Sequence, residues 1–100
     1  MTATLLIPKR MAARGSPPVL EFVTSSEVRR KLLEHLAGRA RTPTELASLE
    51  NKHVSHVSRA LAELKARGLV ESRFSESRKR YYQTTEAGMA IYAFMIRLTK

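Results

Sequence analysis

Cysteine is absent from the 100-residue chain. That absence removes disulfides, thiolate metal sites and cysteine nucleophiles, and leaves the redox compartment undecided. Aspartate is absent too, asparagine and glutamine occur once each (Asn51 and Gln83), and arginine is twice as common as lysine. Scarcity of these heat-labile side chains is in keeping with a hot habitat. No run of about 18 apolar residues occurs, so no membrane span is expected. The opening stretch Met1–Ile7 is briefly apolar, but basic residues follow it rather than precede it, unlike a secretory signal. A cytoplasmic location is the expectation. No carboxylate pair, nucleophile–base set or glycine-rich phosphate loop is visible, which argues against an enzyme and against a bound cofactor.

What the chain does have is apolar bulk and positive charge. Apolar residues make up 43% of it, enough for a packed globule, and its length suits one domain with one core. Lysine and arginine number 18 against 9 acidic residues, giving a net charge of +9. Such an excess favours a polyanionic partner, nucleic acid or an anionic membrane, although surface charge also serves solubility.

Residues 1–18 read as a basic, flexible leader. They carry Lys9, Arg10 and Arg14 and end in Gly15-Ser16-Pro17-Pro18, expected to interrupt regular structure. Such a leader is either a frayed tail or an arm along a DNA backbone. Leu20, Phe22 and Val23 then form an apolar cluster. Thr24-Ser25-Ser26-Glu27 is a helix start, and Val28, Leu32, Leu33 and Leu36 make one apolar stripe, with Arg29, Arg30 and Lys31 in water and Gly38 as the stop. Thr42-Pro43-Thr44-Glu45 is a capping box with proline at the first helical position. It opens a short helix buried through Leu46, Ala47 and Leu49 and finished by Glu50-Asn51. A third helix is expected from about Lys52 to Arg67, with Val54, Val57, Leu61 and Leu64 inward, Ala60 beside them and Gly68 as left-handed cap.

After Gly68 the period turns from helical to extended. Leu69–Phe74 and Arg80–Thr84 read as strands, and the polar Ser75-Glu76-Ser77-Arg78-Lys79 between them makes a hairpin with a basic tip. Thr85 caps a last helix from Glu86 to about Leu98. The order predicts an α+β winged helix-turn-helix over residues 19–84: a three-helix core plus a β-hairpin wing, followed by a C-terminal helix in residues 85–100.

A helix about 10–12 Å across fits the major groove of B-DNA if its outer face is polar. The outward positions of the third helix are Lys52, His53, Ser55, His56 and Arg59, with Glu63 further along, and its positive N-terminus attracts phosphate. Arg59 is the best candidate to read a base, since arginine can bond guanine O6 and N7 together. Its other open role is an ion pair with Glu63, four residues on. Ser55 and Ser58 are either phosphate contacts or ordinary surface. His53 and His56 lie three apart on the helix, but a stable metal site wants three or four ligands and His35 is the one other histidine, so no metal is expected. Arg73, Arg78, Lys79 and Arg80 suit a wing, about 73–80, that grips phosphate or enters a minor groove. Tyr81 and Tyr82 alternate in direction, so one packs on the helices while the other is left for DNA.

Thr44-Glu45-Leu46-Ala47, Val57-Ser58-Arg59-Ala60-Leu61 with Leu64, and Arg67-Gly68-Leu69-Val70 resemble the winged-helix transcriptional regulators of the MarR and ArsR type, especially the short archaeal members. Arg80-Tyr81-Tyr82 and Thr85-Glu86-Ala87-Gly88 resemble the end of the wing and the helix after it in the same families. The resemblance covers about residues 20–98 and implies that Ser55, His56, Ser58 and Arg59 fall on a DNA-reading helix. The cysteine metal motif of many ArsR sensors is missing, and nothing identifies a small-molecule effector.

In the last helix Ala87, Ile91, Phe94 and Leu98 make one apolar stripe, and Met89, Tyr92, Ala93 and Ile96 a second. A helix apolar nearly all round has to be covered on nearly all sides, which points to a homodimer. Ala87, Ile91, Phe94, Met95 and Leu98 are the expected interface. A broad basic face, the mark of a membrane-surface helix, is lacking. The expectation is a sequence-specific, double-stranded-DNA-binding transcriptional regulator. An architectural DNA-coating protein with little base readout and a protein-binding winged helix stay open as alternatives.

Overall fold

Capping side chains decide where most of the helices begin. The structure, a computed structural model, describes residues 17–99, and side chains over residues 19–97. The rest of the expected leader, with Lys9, Arg10 and Arg14, lies outside the described residues, as does the Leu98 side chain. Helix α1 (Pro17–Thr24) opens on two prolines, in the first turn, where a missing N–H costs nothing. This corrects the expected break at Pro17-Pro18. Helix α2 (Glu27–Gly38) starts as Ser26 Oγ accepts the Arg29 N–H at 3.2 Å. It ends into extended backbone at Arg39 (φ −171°), so Gly38 supplies no left-handed cap. Helix α3 (Pro43–Glu50) has the full capping box. Thr42 Oγ1 accepts the Glu45 N–H at 3.1 Å, and Glu45 Oε1 accepts the Thr42 N–H at 3.0 Å. Asn51 closes α3 in the left-handed region, φ 54°.

Helix α4 (Val54–Ala66) begins two residues later than expected, because the turn out of Asn51 uses Lys52 and His53 before helical bonding starts. Gly68, at φ 75°, is the expected left-handed cap. Strands β1 (Val70–Phe74) and β2 (Arg80–Thr84) pair antiparallel, Val70 against Thr84 through Phe74 against Arg80. On its other edge β2 is bridged by the segment before α3: Arg41 N–H donates to the Tyr82 carbonyl at 3.0 Å, and Tyr82 N–H donates back at 2.8 Å. Helix α5 (Glu86–Thr99) is capped by Thr85, whose Oγ1 accepts the Gly88 N–H at 3.1 Å and donates to the Gly68 carbonyl at 2.6 Å.

One core joins these elements. Val23 of α1 and Leu32, Leu33 and Leu36 of α2 meet Leu46 and Ala47 of α3. Val57, Ala60, Leu61 and Leu64 of α4, Leu69, Val70 and Tyr82 of the hairpin, and Ile91 and Met95 of α5 complete it. Leu49 and Val54, both expected inside, are 50% and 46% exposed. Each flanks the turn between α3 and α4, beyond the end of the covered stripe. Arg29, expected in water, is half-buried, since it reaches across to Phe22 and Glu63. Among the described residues no helix is long and apolar enough to cross a membrane. The architecture is a winged helix-turn-helix: α2, α3 and α4 form the helical core and β1–β2 the wing.

Gly88 fixes the approach of α5 to the hairpin. A Cβ there would stand 2.1 Å from the Leu69 carbonyl oxygen, a backbone atom that cannot swing away. Alanine ordinarily favours a helix over glycine by up to about 1 kcal/mol. Gly88→Ala should nevertheless destabilise the fold by about 1–3 kcal/mol, the usual cost of overpacking. Urea unfolding checks this, and an unchanged or raised midpoint would show that α5 is not held by that contact.

Candidate nucleic-acid interface

Helix α4 divides cleanly into two faces. Val57, Ala60, Leu61 and Leu64 face the core, and Ser55, Arg59, Ala62 and Ala66 recur on the opposite side, all exposed. His56 and Ser58 flank that outer face and are exposed as well. Lys52 and His53 are exposed but precede the helix, His53 as its N-cap. No side chain caps α4, unlike α2, α3 and α5; His56 N–H closes on the His53 carbonyl at 3.0 Å, and the side chain that would cap the earlier amides is lacking.

The fate of Glu63 decides between the two roles open to Arg59. Glu63 Oε1 accepts from Arg29 Nε at 3.1 Å and lies 3.1 Å from Nη2 of the same guanidinium, an ion pair across the α2–α4 contact. The Arg29 guanidinium also donates to the Phe22 carbonyl at 2.8 Å and lies over the Phe22 ring, 3.9 Å from its centroid. Arg67 lies over the same ring at 4.1 Å. Glu63 is thus held from the core side. The ion pairs among the described residues are Arg29–Glu63, Arg30–Glu34 and His35–Glu50, and Arg59 is in none of them. His35 is bound to Glu50, at the end of α3, instead of joining His53 and His56.

The wing is a built loop. Arg78 N–H donates to the Ser75 carbonyl and Ser75 N–H to the Lys79 carbonyl, both at 2.9 Å. Ser75 Oγ accepts the Lys79 N–H at 3.3 Å and bonds Ser77 Oγ at 2.9 Å. Within the loop Arg78 has φ 66°, a position that usually takes glycine or asparagine. Register separates the wing cations. Arg73 pairs with Tyr81 on the outer face, beside Glu71 and Gln83, whereas Arg80 shares the core-facing side with Tyr82 and Phe74. Tyr82 is buried and Tyr81 half-exposed, which answers which tyrosine packs inside.

Lys79 and Arg80 share with Thr42, Pro43, Thr44 and Glu45 a cleft of about 370 Å³ between the start of β2 and the N-terminus of α3. A groove with cations on one wall and a helix start on the other suits a sugar–phosphate strand. The sequence reading missed Thr44, a hydroxyl on this wall, and Ala62, whose methyl on the outer face of α4 can meet a thymine methyl. Neither carries a charge, and the motifs that include Thr44 mark a helix start and not a ligand contact; their placement shows only in the fold.

Residues 19–100 match the family model described as the HVO_A0261 N-terminal domain. The chain belongs to this family. Among solved structures, this HVO_A0261-type domain is similar to HlyU from Vibrio cholerae, at 27% identity and TM-score 0.73 over 90% of this chain and 95% of that one. A possible transcriptional regulator for arsenical resistance matches at 28% identity and TM-score 0.63, over 80% and 82%. The adhesin competence repressor AdcR of Streptococcus pyogenes shares the fold at 20% identity and TM-score 0.69, over 74% of this chain. The domain spans 57% of the AdcR chain, little more than half its length. No curated protein matches in sequence.

Arg78 allows stability and binding to be separated within the domain. A non-glycine residue at positive φ costs about 1–2 kcal/mol, partly offset by the greater freedom of glycine in the unfolded chain. Arg78→Gly should leave the thermal midpoint unchanged or raised while weakening duplex binding and lowering its salt dependence by about one unit. A variant that loses stability, or keeps full affinity, would show that Arg78 serves the turn and not a ligand.

Proposed function

We propose that this domain is a sequence-specific, double-stranded-DNA-binding transcriptional regulator, working as a homodimer in the cytoplasm and not as an enzyme. The observation that carries the reading is the pairing of an exposed face on α4, bearing an arginine with no ion-pair partner among the described residues, with a basic, preformed wing. The outer half of α4 lies in the major groove. Arg59 and Ser55 face the bases, with Ser58 and His56 at the flanks and Lys52 and His53 at the phosphates by the helix start. Lys79 and Arg80 hold the strand that passes through the cleft beside Thr44. Arg78 meets the next backbone or minor groove, and Arg73 approaches from the outer side of the hairpin. Similarity to a possible transcriptional regulator and to a repressor supports the regulatory role.

Dimerisation rests on α5, with one correction to the expected interface. Ile91 and Met95 are 2% and 5% exposed in the chain's own core, because α5 turns them toward α2 and the hairpin. Ala87, Met89, Ala90, Ala93 and Phe94 stay exposed, with Met89 at 42% and Phe94 at 44%. An Ile91 substitution would therefore test folding, so Phe94 is the residue to change. The unmodified chain should sediment at twice 11.3 kDa, and Phe94→Glu at the single mass with its helical circular dichroism kept. A folded monomer for the unmodified chain would refute the dimer.

The test of function is selection of bound fragments from random duplex DNA, followed by titration of preferred and scrambled duplexes at one salt concentration. Arg59→Ala should cost about 1–3 kcal/mol on the preferred duplex and much less on the scrambled one. Arg59→Lys should restore the charge and not the two-pronged geometry. Equal losses on both duplexes would make Arg59 a phosphate contact, and failure to enrich any sequence would favour a DNA-coating protein.

A further inference from the structure

Phe74 closes β1 with 63% of its surface exposed, the most exposed of the large apolar side chains described. It shares the core-facing side of the hairpin with Val70 and Tyr82, but the wing has by then run past the edge of the core. The Arg80 guanidinium lies over its ring, 4.9 Å from the centroid, and Arg80 Nη1 also donates to Tyr82 Oη at 3.4 Å. Around the tip stand Arg78 and Lys79, with Glu76 between them and the strand end and Arg73 on the outer face, all exposed. Burying an aromatic side chain stabilises a fold appreciably, and this chain leaves that gain unused at the tip. The surface that fits an apolar ring fenced by cations has an anionic rim and a less polar interior.

We infer that Phe74 is an apolar wedge that enters the DNA minor groove, set between cations that hold the two phosphate walls. The inference rests on the reading of the domain as a duplex-DNA binder and adds to it a contact that charge does not supply. A minor groove has phosphate walls above a floor of sugars and base edges, and side chains such as phenylalanine pry base steps open there and kink the duplex. The stacked Arg80 holds the ring from one side, so the wedge is ordered before DNA arrives. Pyrimidine–purine steps unstack most easily, and the wedge should favour them at its point of entry.

The experiment uses the full chain and a duplex from the selection above, carrying donor and acceptor dyes at its ends. The unmodified chain should shorten the end-to-end distance. Phe74→Ala should bind at least about fivefold more weakly and leave the duplex nearly straight, while Phe74→Leu retains part of the bend. Phe74 is exposed, so these variants should keep the parent thermal midpoint. Equal affinity and equal dye distance for Phe74→Ala and the unmodified chain would overturn the wedge and leave DNA binding standing. No binding of the unmodified chain to any duplex would overturn the DNA-binding reading itself, and the wedge with it. A parallel titration with phosphatidylcholine–phosphatidylserine vesicles tests the other anionic surface. Phe74-dependent binding there, with no bend in DNA, would also overturn the wedge.

Discussion

The paired hydrogen bonds between Arg41 and Tyr82 connect the wing to the helix-turn-helix, and the geometry of the interface depends on them. Tyr82 sits in the middle strand position, bridged to Ser72 on one side and to Arg41 on the other, with its ring buried. An isolated two-stranded hairpin is marginal in water. This one is stable because its central strand is clamped to the residue just before the Thr42 cap. The same clamp brings Lys79 and Arg80 beside the start of α3, forming one cleft from two distant parts of the sequence. Without it, α4 and the wing could each bind a polyanion, but not at a fixed spacing along one duplex.

A second network sets the chemistry of α4 from behind. Phe22, carried by α1, gathers Arg29 and Arg67, and Arg29 in turn holds Glu63. The pair is partly exposed, so its direct contribution to stability is small, about 0–1 kcal/mol. Its larger effect is electrostatic and geometric. The one carboxylate on α4 is drawn toward α2, away from the outer face where phosphate repulsion would otherwise oppose docking. Arg59 is then available for another partner.

Much of this was legible in the residues. Thr42 with Glu45, Ser26 and Gly68 mark helix ends through local chemistry alone, and the structure keeps each of them. Strand limits held to within a residue, since Gly68 and the polar Ser75–Lys79 run leave little choice. Helix periodicity was less informative near helix ends: Leu49 and Val54 match the apolar stripe, yet at the α3–α4 turn each is left about half exposed. In α5 nearly every position is apolar, so pattern could not distinguish the core-facing Ile91 and Met95 from the exposed Met89 and Phe94. That assignment depends on Gly88 meeting Leu69, a contact between segments nearly twenty residues apart. The partner of Glu63 was hidden for the same reason, since Arg29 is remote in sequence and Arg59 adjacent. Phe74 read as an ordinary strand residue because its exposure comes from the length of the wing and not from its own type.

The division between charge and shape bears on why the proposed regulator should work as two copies. A net charge of +9 favours any polyanion alike, and binding of that kind to a duplex weakens steeply with salt. Discrimination has to come from few groups: Arg59 at the outer face of α4, small side chains around it, and contacts at the wing tip. One good two-pronged base contact is worth about 1–3 kcal/mol, whereas specific complexes exceed nonspecific ones by about 4–10 kcal/mol. Two copies on a two-fold axis double the difference without any new residue, which brings about 2–6 kcal/mol from arginine alone. Minor-groove deformation at two wing tips would add to it through sequence-dependent stiffness, with no further base hydrogen bonds. In the proposed dimer the exposed face of α5 and the outer face of α4 would act as a single device: the first would set the spacing at which two copies of the second are counted together.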